Sequence, residues 1–211
     1  MGKLVNGIHG SIQGKIGPLV GSSWKGIYYI KSRPSKRSKK RRPGEKINQS
    51  NFANVHYWLQ PVIDFLRAGF KGYSPRMEGF NAAKSYALKH ACAAGDDGNK
   101  FLDPALVQVS YGDLPLPSHI SVVKSGDFEL QFTWDDKVSD GANPYDQAML
   151  LAYDNNNRVE NMKLTGQFRN TGADSLMLPQ KAGLTYHVYI AFTAHDRSRQ
   201  SHSVYLGTTN V

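Results

Sequence analysis

A chain of 211 residues with 40% apolar residues and eleven tyrosines is long enough for a real hydrophobic core and too apolar for a disordered segment. Its 26 Lys and Arg outnumber 17 Asp and Glu, giving a net charge of +9. The single cysteine, Cys92, excludes an intramolecular disulfide, and no run of 18 apolar residues offers a transmembrane helix.

Residues 1–43 read as a Gly-rich β arm. Glycines at positions 2, 7, 10, 14, 17, 21 and 26 disfavour a helix and allow turns and close backbone approach. They also interrupt the apolar stretch a secretory signal needs, and Asn6 stands where myristoylation needs Ser or Thr. Intracellular synthesis of a soluble chain is therefore expected. "SSWKGIYYIKS" (22–32) is predicted as a strand rich in aromatic and β-branched residues. Ile8, Ile12, Ile16, Trp24, Tyr28 and Tyr29 are the candidates for an arm that packs on a neighbouring subunit. "GSIQGKIG" (10–17) is not a phosphate loop, because only three residues separate Gly10 from Gly14 and Ile16 follows Lys15.

A basic run follows. Lys31, Arg33, Lys36, Arg37, Lys39, Lys40, Arg41 and Arg42 lie together with no acidic residue, and without them the chain counts 18 basic against 17 acidic groups. Such a run is commonly a solvated loop. Counterion release also makes it a sequence-independent binder of nucleic acid, and an acidic surface on an adjacent subunit is a third partner. No aromatic lies inside the run, so base stacking would need Trp24, Tyr28 or Tyr29.

Two helices are predicted over residues 44–103. Ile47, Val55, Leu59, Val62, Ile63 and Leu66 fall near helical spacing, with Pro61 expected to kink or restart the helix. For the second, Ser74 is the expected N-cap and Pro75 the first residue. Met77, Phe80, Ala83, Ala87, Leu88 and Ala91 form its stripe, and Gly95 its end.

Residues 104–211 carry seven short apolar segments between turn signals: 106–111, 127–134, 147–153, 161–168, 174–179, 184–194 and 201–208. Phe128, Leu130, Phe132 and Trp134 share one face, as do Leu184, Tyr186, Val188, Ile190 and Phe192. This is the pattern of an immunoglobulin-like or fibronectin-type β-sandwich, and the lack of a Cys–Trp–Cys set favours the fibronectin-like variant.

Catalytic signals are weak. No two of the seven histidines share a metal-ligand spacing, and one cysteine gives zinc little to bind. "DNNNRVENMKLT" (154–165) fails as a calcium loop, with Val159 and Thr165 where Gly and Glu are needed, and reads as an Asn-rich hairpin turn. Asp135 and Asp136 would point to opposite sides of a strand and read as a polar turn.

The opening "MGKLVNGIHGSIQGKIGPLVGSSWKGIYYIKSRP", "FLRAGF", "FTWDD" and the closing "TYHVYIAFTAHDRSRQSHSVYLGT" together resemble an uncharacterised family of Bacteroidota proteins, domain of unknown function 6266. The "KRSKKRR" run is more basic than that family's usual continuation. The resemblance brings no activity, cofactor or catalytic residue, and implies one conserved-length unit. The expected fold is mainly β with a small α part: arm 1–43, helical pair 44–103, and sandwich 104–211. The expected function is that of a non-enzymatic, self-assembling structural protein, a filament, shell or virion-like particle. It would be a homo-oligomer joined through its arm, without cofactor or metal; the alternative is a nucleic-acid or polyanion binder using residues 31–42.

Overall fold

The computed structural model describes all residues except 1, 5, 6, 8, 9, 37–39 and 95–99. The chain divides into two compact units, Met1–Arg42 and Pro43–Val211.

In the first unit, β1 (Lys3–Leu4), β2 (Ile12–Ile16), β3 (Leu19–Trp24) and β4 (Ile27–Ser32) form an antiparallel meander in chain order. Residues 22–32, predicted as one strand, are two. Lys25 and Gly26 take φ of 47° and 80°, so the chain reverses in a two-residue turn. Left-handed φ at both central positions gives a type I′ hairpin, whose twist matches that of the flanking strands, and Gly26 supplies that φ without steric cost.

The second unit opens with helices. α1 (Pro43–Leu59) starts on proline, which is suited to a first helical turn, and α2 (Ile63–Gly69) resumes after the expected break at Pro61. α3 (Gly79–His90) has its N-cap at Glu78 rather than at the predicted Ser74. Ser74 instead closes a separate turn, its carbonyl accepting from Met77 N at 3.2 Å, and Met77 is exposed. The later start has a steric reason. A Cβ on Gly79 would lie 2.7 Å from Leu66 O and 2.9 Å from Arg67 Cα, so α3 begins where a glycine lets it meet α2. Gly95, the predicted helix end, lies outside the described residues. The helix stops at His90, and β5 (Cys92–Ala94) then pairs with β6 (Lys100–Leu102).

Seven further strands follow: β7 (Ser121–Gly126), β8 (Glu129–Thr133), β9 (Gln147–Asp154), β10 (Val159–Lys163), β11 (Ala173–Met177), β12 (Thr185–Thr193) and β13 (Val204–Asn210). They form two antiparallel sheets, ordered β11-β8-β7 and β10-β9-β12-β13. The predicted strand at 106–111 is absent. Pro104–Leu106 is a 3-10 turn, and the next backbone groups bond elsewhere: Val109 N to Ser203 Oγ at 3.0 Å and Tyr111 N to Gly69 O at 2.9 Å. The first strand of this region is β7, which is largely exposed and lacks a strong apolar pattern.

Strands β9 and β12 are buried on both sides. One side puts Leu150, Val188, Ile190 and Phe192 into a cluster with Leu130, Phe132 and Leu176 of the three-stranded sheet. The other puts Met149, Leu151, Tyr153, Tyr189 and Ala191 against Val55, Leu59, Phe65 and Leu66 of the helices. A strand covered on both faces reads as a continuous apolar run, which is what "AMLLAY" is. The helices and the four-stranded sheet therefore share one core. With three helices and thirteen strands among the described residues, the fold is mainly β with a small α part, as expected.

Candidate functional site

The pairing register of the first unit sorts its side chains into two faces. Residues paired across antiparallel strands project to the same side, and neighbours along a strand alternate. Lys15 pairs with Val20 and Val20 with Lys31, Ser22 with Tyr29, and Trp24 with Ile27. One face thus presents Lys15, Lys31, Trp24 and Tyr29 together, with Lys3 joining through its pairing with Gln13. The opposite face carries Leu4 paired with Ile12, Ile16 with Leu19, and Gly21 with Ile30, with Tyr28 beside Ser23. The first face is basic and aromatic; the second is aliphatic and uncharged.

Neither face is covered. Among the described residues of this unit only Gly21 is buried, and its lack of a side chain is required, because a Cβ there would collide with the Ile12 carbonyl oxygen. Ile30 is 54% exposed and Tyr28 57% exposed. On the other face, Trp24 is 44% exposed and Tyr29 41%. Lys25 Nζ lies 5.2 Å from the Trp24 ring centre and Lys31 Nζ 5.8 Å from that of Tyr29, within the range of a cation–π contact.

The predicted arm residues do not form one surface. Ile12, Ile16 and Tyr28 share the aliphatic face, whereas Trp24 and Tyr29 lie on the other; Ile8 is outside the described residues. The hairpin that separates Tyr28 and Tyr29 from Trp24 in the chain had a sequence signal, a Gly-containing dipeptide between two apolar runs. Of the basic run, Lys31 belongs to β4. Arg33 and Lys36 follow in exposed extended chain, Arg33 N donating to Pro18 O at 2.7 Å. Lys40, Arg41 and Arg42 are exposed just before α1, and Arg37 and Lys39 are outside the described residues. Charge is segregated more sharply than the run alone implies. Residues 1–42 hold eleven of the 26 basic residues and none of the acidic ones, leaving fifteen basic against seventeen acidic in residues 43–211.

The second unit has a cleft of about 670 Å³ bordered by Tyr73, Tyr111, His202, Lys71 and Arg199. Its charged groups are engaged with protein neighbours. Arg199 Nε donates to Asp113 Oδ1 at 2.9 Å, holding that carboxyl below its ordinary pKa, and Lys71 Nζ donates to Arg197 O at 2.9 Å. Asp135 accepts from Lys137 N at 3.1 Å, the polar turn expected after β8. Among the described residues no helix is long and apolar enough to cross a membrane.

Residues 11–207 match the family described as "Family of unknown function (DUF6266)". The chain belongs to this family. The DUF6266 match runs from just before β2 into β13, so it takes in both units, including the faces built by β2, β3 and β4. A search of curated proteins finds no match.

Proposed function

We propose that this DUF6266 protein is a non-enzymatic structural protein that assembles with copies of itself through the aliphatic face of the β1–β4 sheet. The carrying observation is that Ile16, Leu19, Tyr28 and Ile30 are all exposed on one uncharged face of a sheet that buries a single residue. Such a sheet gains little stability from its own burial, and contiguous exposed apolar surface marks an interaction site. A second copy of the same face is the fitting occupant, since pairing two uncharged faces keeps the lysines on the outside. The outer edge of β4, a six-residue strand that opens with Ile27, Tyr28, Tyr29 and Ile30 and has β3 on one side only, adds a place for strand pairing between copies.

The larger unit is the body that such contacts would link. Read in chain order as A, B, C, C′, E, F and G, strands β7 to β13 pair as A-B-E and C′-C-F-G, which supports a fibronectin type III-like sandwich.

Sedimentation velocity tests the reading. The full chain should sediment as larger species, and the double variant Ile16→Thr/Ile30→Thr, which keeps β-branched residues in the strands, as a monomer with an unchanged melt of residues 43–211. Monomers for both proteins at high concentration would sink the proposal.

A further inference from the structure

We propose that the basic, aromatic face of the β1–β4 sheet binds single-stranded nucleic acid without sequence preference. This site is distinct from the aliphatic face and does not depend on assembly. Binding of that kind needs rings for bases to stack on and cations that follow the phosphates, and here one face supplies both. Trp24 faces Ile27 across the β3–β4 hairpin, and Tyr29 lies two residues further along β4 on the same face. They are diagonal neighbours, roughly 7–8 Å apart at the backbone, placed to meet successive bases of an extended strand.

The cations are arranged around those rings. Lys25 and Lys31 sit over Trp24 and Tyr29, so a base stacked on either ring brings its phosphate near an ammonium group. Lys15 and Lys31 flank Val20 in one row across three strands. From there the chain continues directly into exposed Arg33 and Lys36. With no acidic residue anywhere in residues 1–42, nothing in this unit repels a phosphate backbone. A duplex keeps its bases stacked on each other and cannot offer their faces to Trp24 and Tyr29. An acidic protein surface would satisfy the lysines and leave the half-exposed rings without a role. The single strand is the partner that uses both.

Titration of end-labelled oligothymidylate with the full chain and with each variant, read by fluorescence anisotropy, tests the site, and tryptophan fluorescence gives a second signal where Trp24 is in place. Trp58 and Trp134 are only 4% and 6% exposed, so quenching on binding reports Trp24. Each of Trp24→Ala and Tyr29→Ala should weaken binding by roughly 5- to 150-fold, the range measured for loss of one stacked base. The phenylalanine variants at both positions should retain most of the affinity, which separates the ring from the fold. Four to six phosphates engaged would give a slope of log affinity against log salt of about −3 to −4. Repeating the titration in the Ile16→Thr/Ile30→Thr background, where binding should persist, tells loss of assembly from loss of this site. Heparin, a polyanion without bases, should bind without quenching. Full affinity in both alanine variants, or equal affinity for a duplex of the same length, would overturn the proposal and leave charge alone, with an acidic protein surface as the partner.

Discussion

Arg169 and Asp146 are an ion pair sealed from solvent, with the guanidinium Nε 3.5 Å from the carboxylate Oδ2 and both side chains buried. The pair links the loop before β9 to the one that joins β10 and β11. Arg169 Nη2 donates to Pro115 O at 2.6 Å, and its guanidinium lies 4.9 Å from the Phe192 ring centre. Burial lowers the Arg169 pKa while Asp146 raises it, and arginine's ordinary value is high enough that it remains charged. Asp146 also accepts Asn143 N at 2.8 Å. Removing one member strands the other charge in the interior. Asp146→Ala should therefore cost about 3–5 kcal/mol in urea unfolding, more than Asp146→Ala combined with Arg169→Met, which removes both charges.

Trp134 packs edge-to-face on Phe192 at 5.3 Å and donates Nε1–H to Arg169 O at 2.8 Å. Trp134→Ala should cost about 3–5 kcal/mol, as large-to-small aromatic changes in cores do. A loss below about 1 kcal/mol in the same unfolding measurement would show that the cluster between the two sheets collapses around the gap.

Asp154 ties the Asn-rich turn to β12. Burial works to raise its pKa, but hydrogen bonds from the Asn157 backbone and side chain and from Thr185 N together hold the carboxyl below its ordinary value. A depressed folded pKa adds stability that is complete above the unfolded value of about 3.9 and is lost as pH falls through the folded one. Urea midpoints should thus decline as pH drops below about 4, and Asp154→Asn should flatten that decline. An unaltered pH profile in the variant would assign the acid sensitivity to other carboxyls.

Gly21→Ala should act on the first unit alone. The added methyl would meet the Ile12 backbone oxygen, which cannot rotate away as a side chain can. Hydrogen exchange over residues 12–32 should accelerate while protection in β9 and β12 stays as it was. Equal loss of protection in both units would show that the sheet and the larger body unfold together.

The elements legible in the sequence are those whose own residues carry a local apolar pattern, at helical spacing in α1 and α2, continuous in β9 and alternating in β8 and β12. β8 and β12 stand out because Leu130 and Phe132, and Val188, Ile190 and Phe192, face one core. Tyr189 and Ala191 read as the other side of β12, yet they are buried too, because helices distant in the chain cover them. β7 left little signal, since its register with β8 holds it in place rather than its own burial. Residues 106–111 have strand-like composition, but their partners are Ser203 and Gly69, far along the chain and invisible to local pattern. At the candidate site the residue types were legible and their segregation was not. Whether Trp24 and Tyr28 share a face depends on the Lys25–Gly26 turn, and one residue of register reverses the answer.

That a single residue is buried among the described residues of the first unit makes concentration a structural variable. A sheet with so little interior draws added stability from whatever covers it, and by mass action that share follows the abundance of the cover. When the cover is another copy of the chain, each tenfold dilution withdraws about 1.4 kcal/mol from the pairing. The independently cored body of residues 43–211 is untouched by the same dilution. Adding buffer would then part the copies and lower the melting point of residues 12–32 without heat, acid or denaturant, and one polypeptide would show two melting behaviours, one of them set by the dose.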